Sequence, residues 1–227
     1  MTRTIRSFAL AVAAAVVLSA CGVLNALIPD QDIAGGILGI GSAGVQVPLE
    51  AAVADAGIGA AQAGFATVFT GTFDLGAVDV DAIDELPDFV EADAITETVA
   101  LGDSIEVTYP TGGDVASFTL TELAVTGSIT ISGTEYALPV LTAGELEVLF
   151  DDVDCVGTVC TYGTASNLPE LDVALAAAAV DAYASLLKDG GSVSAELTVT
   201  ATLEAPGLAD DATVVVTIQS LGAVIEF

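Results

Sequence analysis

From residue 65 onward the hydropathy of the chain repeats every second residue. That property limits the fold more than any other, because side chains on a strand alternate between two faces whereas those on a helix recur every 3.6 residues. In Glu122 to Ser132, Leu123, Val125, Ile129 and Ile131 are apolar, while Glu122, Thr126, Ser128, Thr130 and Ser132 are polar. Glu196 to Glu204 repeats the arrangement, with Leu197, Val199, Ala201 and Leu203 set against Glu196, Thr198, Thr200, Thr202 and Glu204. Shorter versions are Ile105 to Tyr109, Leu146 to Val148 and Val214 to Ile218. A strand with one dry face needs an apolar layer against it, so the pattern predicts a mainly β chain folded as an antiparallel β-sandwich-like domain. Stretches 122–133 and 196–207 share five residues in twelve, a likeness that strand composition explains, since no match extends to either side.

One helix is expected to cover the sheet, over about 168–189. Asn167 suits an N-cap, Pro169 is tolerated in a first turn, and Glu170 completes a capping box. Gly190 and Gly191 stop the helix. Leu171, Leu175, Ala179, Ala182, Tyr183, Leu186 and Leu187 share an apolar arc, with Glu170, Asp181, Ser185 and Lys188 opposite.

Cys155 and Cys160 flank a predicted hairpin. If Gly157-Thr158 is a two-residue turn, Val156 and Val159 are the hydrogen-bonded pair beside it. Cys155 and Cys160 are then the next, non-hydrogen-bonded pair, with Cα atoms ~4.5 Å apart, within reach of a disulfide. The spacing is not C-x-x-C and no cation lies nearby in the sequence to acidify a thiol, so a structural bridge is expected.

Residues 22–64 hold nine glycines among Ile33, Ile37, Leu38, Ile40, Val45 and Val47, without a sustained period. They read as a tether, or as a segment that packs in part on the domain or the bilayer. The chain ahead of them has the order of a secretory peptide: Arg3 and Arg6, then the apolar run Phe8 to Leu18, too short to span a bilayer core of ~30 Å as a stable helix. Leu18-Ser19-Ala20-Cys21 before Gly22 resembles the lipobox of bacterial lipoproteins, a resemblance confined to residues 1–22. It implies a signal peptide over 1–20, cleavage before Cys21, and a diacylglycerol with palmitate-type acyl chains on that cysteine. The mature chain would then be a lipidated N-terminus and tether, 21–64, and an acidic β-rich domain, 65–227. The implied place is the cell envelope, lipid-anchored to the outer membrane or to the outer leaflet of a membrane, with the membrane itself as partner.

Charge narrows the function. All 32 acidic residues follow the signal segment, and of the three basic residues only Lys188 does, so the mature formal charge is 1 − 32 = −31. Nucleic acid is excluded as a partner, because phosphate contacts need clustered Lys or Arg. The absence of His removes the commonest general base and the imidazole zinc ligands. A carboxylate-based hydrolase would also want aromatic sugar platforms, and the chain has no Trp. No catalytic or cofactor-binding residues are assigned.

The one candidate cofactor is Ca²⁺. Asp151, Asp152 and Asp154 are first choice as ligands because the bridged hairpin adjoins them, ahead of Asp79, Asp81 and Asp84 or Asp210 and Asp211. An unbound acidic surface is the plainer reading.

The leading expectation is a non-enzymatic envelope protein with a structural, adhesive or binding role. The alternative is a carrier that holds a lipid-like ligand between sheet and helix. A third is a small membrane barrel, since Ser220 to Phe227 resembles the closing strand of outer-membrane barrels. The eleven aromatics after residue 20 form no girdles, which argues against it.

Overall fold

The computed structural model describes residues 31–33, 36–38, 40, 43–51, 66–82, 92–110, 115–143, 146–204 and 212–226. The signal segment, Cys21, Asp84, Asp210 and Asp211 lie outside them. The strands are β1 (Gln31–Ile33), β2 (Val45–Ala51), β3 (Ala66–Asp74), β4 (Val78–Val80), β5 (Ala94–Thr108), β6 (Phe118–Ile131) and β7 (Thr134–Ala137). After them come β8 (Leu141–Ala143), β9 (Val148–Phe150), β10 (Asp152–Val156), β11 (Val159–Gly163), β12 (Glu170–Ala174), β13 (Gly191–Glu204) and β14 (Thr213–Glu226). The described residues contain one helix, α1 (Ala177–Asp189).

Two pairs of long strands organise the molecule. β5 lies along β14 over most of their length, with β11 and β12 sharing the other edge of β5 and β1 and β2 sharing the other edge of β14. β13 lies along β6, with β3 and β4 on its far edge, while β7, β8 and β9 share the far edge of β6. Every ladder is antiparallel. β2 joins the halves: Val45 to Leu49 pair with β14, and the next two residues, Glu50 and Ala51, pair with β3. A strand that changes sheet in this way makes a corner of a sandwich. The hydrogen-bonded path runs from β10 to β7, which do not pair, so this is an antiparallel β-sandwich-like domain with one helix and not a closed barrel. Ser220 to Glu226 belong to β14, an interior strand of an open sheet, which corrects the barrel alternative.

The dry faces read from the sequence meet in the core. Leu123, Val125, Ile129 and Ile131 of β6, with Leu197, Val199, Ala201 and Leu203 of β13, are all buried, as are Val214, Val216 and Ile218 of β14. The resemblance of 122–133 to 196–207 is that of neighbours: β6 and β13 pair with each other and share both faces. Register shifts change the phase where the sequence does. In β6 the inward positions are Phe118 and Leu120, then Leu123 and Val125, and the shift opposite Thr202/Leu203 supplies the extra residue. β14 does the same between Ser220 and Gly222, so that Ile218 and Ser220 face inward before it, and Ala223 and Ile225 after it. One inserted residue reverses every later side chain.

The helix is shorter than expected. Glu170 to Ala174 form β12 on the edge of β5, with Leu171 and Val173 inward, and α1 begins only at Ala177. Asn167, Pro169 and Glu170 therefore cap nothing. Its N-cap is Ala176, with no side-chain cap bond. Leu171 and Leu175 are four apart, a spacing that suits either period, and the unpaired edge of β5 decided for strand. Of the rest of the apolar arc, Ala179, Tyr183, Leu186 and Leu187 are buried and Ala182 is half-buried; Val180, not part of the expected arc, is buried too. α1 touches β6 and β13 of one half and β5 of the other, so it covers the gap between them.

Part of the segment expected as a tether belongs to the domain. Ile37, Leu38, Ile40, Val47 and Leu49 lie in the core, and β2 is the corner strand. Its alternation of Val47 and Leu49 inward with Gln46 and Glu50 outward is too short to stand out in a glycine-rich stretch.

Candidate functional site

The Cys155–Cys160 disulfide forms as the spacing requires. Cys155 pairs with Cys160 and Val156 with Val159, the Cα atoms of the cysteines are 4.0 Å apart, and Gly157 takes the left-handed φ of 68° that the two-residue turn demands. The hairpin tip is also held by the residue after β5, where the Tyr109 N–H donates to the Thr158 carbonyl at 2.8 Å. Beside the hairpin, Asp152 and Asp154 stand two apart on β10 and Asp151 precedes the strand, all three exposed. Among the described residues no group of three acidic or cysteine side chains is placed to hold a metal ion, Asp151, Asp152 and Asp154 included.

An open depression of about 1060 Å³ lies on the outer side of the β6–β13 pair, at the irregularity in β6. Thr121, Glu122, Thr142, Glu147, Thr202 and Glu204 line it, and Glu122 Oε2 accepts a bond from the Thr202 hydroxyl at 3.0 Å. Leu123, Ala124, Ala143 and Leu146 line it as well, so its walls mix polar and apolar groups.

The most unusual chemistry is inside. Glu97 follows Ile95 and precedes Val99 on the inward face of β5, and its side chain is 0% exposed. Across the ladders it stands opposite Ala223 of β14 and Val173 of β12, both buried. Its partners come from the N-terminal segment: the main-chain N–H groups of Ile37 and Leu38 each donate to Glu97 Oε2 at 2.8 Å. Gly36 makes this approach feasible. It has φ of 77°, and a Cβ there would lie 2.1 Å from Glu97 Oε1 and 2.6 Å from Ser220 Oγ, so any side chain would displace the carboxyl.

Oε1 is buried without a hydrogen-bond partner, although the Ser220 hydroxyl of β14 stands beside it. Burial pushes the Glu97 carboxyl above its ordinary range, against the opposing pull of the Ser220 hydroxyl and the N–H groups of Leu38 and Ile37. Tyr183 on α1 feels the same site: burial, and then the charge of Glu97, push its phenol up to about 12. Three elements and the segment ahead of β2 thus converge on one carboxyl. Among the described residues the groups that bear on its titration are the Ser220 hydroxyl and the amides of Leu38 and Ile37, which tie the N-terminal segment to β5.

Sequence reading passed over Glu97, yet the signal was present. In Ile95-Thr96-Glu97-Thr98-Val99 the charge sits on the apolar phase of a strand. Its donors were not legible, because they lie 59 and 60 residues away. No described helix is long and apolar enough to cross a membrane. No family model, curated protein or solved structure matches the sequence.

Proposed function

We propose that the chain is a lipid-anchored protein of the bacterial cell envelope, with a non-enzymatic structural, adhesive or binding role. The observation that carries this reading is Leu18-Ser19-Ala20-Cys21 directly after a positive start and an apolar run. The Cys155–Cys160 bond supports it, since disulfides persist in exported proteins and are rare in a reducing cytosol. Charge supports it as well: a chain with 32 acidic residues and few cations presents a surface that resists association when displayed from a membrane. Acyl chains on Cys21, at ~0.8 kcal/mol per buried methylene, would supply the membrane affinity. The test is Cys21→Ala in an envelope-bearing host. The variant should be uncut or leave the membrane fraction, and labelled fatty acid should appear on the wild type alone. A Cys21→Ala chain that is processed normally and still resists alkaline washing of membranes would overturn the anchor.

A further inference from the structure

We infer that Glu97 is a proton-operated latch that holds the segment ahead of β2 against the sandwich, closed while Glu97 carries a proton and released as it ionises. The geometry bears this in three ways. First, the latch joins distant parts of the chain: Oε2 on β5 accepts from Ile37 and Leu38, and these side chains are themselves buried with Ile40 in the core. Second, burial leaves a charge on this carboxyl poorly balanced. The two amides on Oε2 and the Ser220 hydroxyl beside Oε1 favour the ionised form, but they are neutral donors, and the 0% exposed group would carry its charge wholly inside the core. Third, among the described residues no cation bears on the titration of Glu97. β14 offers Ser220 and Ala223, β12 offers Val173, and residues 36–38 offer main-chain amides; α1 offers Tyr183, whose phenol stays neutral to about 12.

Linkage gives the sign. With the segment closed, burial raises the affinity of Glu97 for its proton; with the segment lifted, water reaches the carboxyl and the affinity returns to the ordinary value. Opening therefore releases a proton, and a rise in pH favours opening. Between the ordinary glutamate pKa of ~4.3 and the raised one of the closed form, each pH unit multiplies the open population by up to ~10. The inference does not depend on lipidation.

The experiment is hydrogen exchange on the full-length chain, followed at the Ile37 and Leu38 amides from about pH 5 to about pH 9 and corrected for the intrinsic rate. Protection should fall several-fold with rising pH in the wild type and stay level in Glu97→Gln, which keeps an acceptor for the two amides but cannot ionise. Infrared spectra of the wild type supply the second measurement. A protonated carboxyl band should persist above the pH at which surface acids have ionised and should vanish with the same midpoint as the protection, and this holds even if Glu97→Gln does not fold. Level protection in the wild type, an equal fall in Glu97→Gln, or no protonated band above the pH at which surface acids have ionised would overturn the latch.

Discussion

A carboxyl on the apolar phase of a strand is a costly placement, and the cost at Glu97 is visible in its direction of titration. The carboxyl is raised by burial, so the folded chain holds its proton more tightly than the unfolded chain. The contribution to stability is therefore complete below the unfolded value of ~4.3 and is lost as pH rises through the folded value. Denaturation midpoints should fall from mildly acidic to mildly alkaline pH, and in Glu97→Gln the part due to this residue should be gone; an identical slope in both would refute the assignment. Tyr183 acts in the same sense at higher pH. Its phenol, at about 12 in the fold, should cost stability between the ordinary tyrosine value and there, a loss that Tyr183→Phe removes. An ordinary core position behaves otherwise: Leu197→Ala should cost ~2–5 kcal/mol at any pH, measured by chemical denaturation, because it empties a fully buried site between the strand pairs.

At the scale of elements, the helix and the hairpin show what local sequence can settle. The hairpin was legible to the residue, since a two-residue turn fixes which positions oppose each other and the bonded cysteines follow. Its closed loop is small, so replacing both cysteines by Ala should lower stability by only ~2 kcal/mol. The helix was legible in its body and stop and not in its start. Capping signals at Asn167 and Glu170 lost to an edge of β5 that β12 could pair with, an event that depends on residues 96–100, far off in sequence. The helix that forms begins on Ala176, whose φ of −65° and ψ of 150° already suit a capping residue. Ala176→Ser should therefore stabilise the chain by about 0.5–2 kcal/mol, read from the denaturation midpoint. No gain would mean that the first turn finds its partners elsewhere.

Across the whole molecule the dominant quantity is charge. With 32 acidic residues and Lys188 the one cation after residue 20, folding brings like charges together that the expanded chain keeps apart. The denaturation midpoint of the acyl-free chain should rise steeply between about 0.01 and 0.3 M NaCl, as the Debye length shortens below the spacing of surface charges. A level midpoint over that range would refute the repulsion. Ca²⁺ and Mg²⁺ should act alike at equal concentration, since Asp151, Asp152 and Asp154 do not converge and diffuse screening does not distinguish the two ions. A selective rise in Ca²⁺ would return those residues to candidacy as a site.

The sequence by itself determined the dry faces of the long strands β6 and β13, the disulfide pairing, the acidic sign of the chain and the signature at Cys21, because each of these rests on period, spacing or composition within a short stretch. Tertiary structure decided what the chain does with those parts. It chose strand over helix for residues 170–174 by offering an unpaired edge, and it took β2 out of a glycine-rich segment to join the two halves. It also brought Ile37 and Leu38 to a carboxyl some sixty residues away. The physical reason is common to all three: a backbone hydrogen bond or a buried charge must find a partner, and the sequence records the need without recording which distant residue meets it.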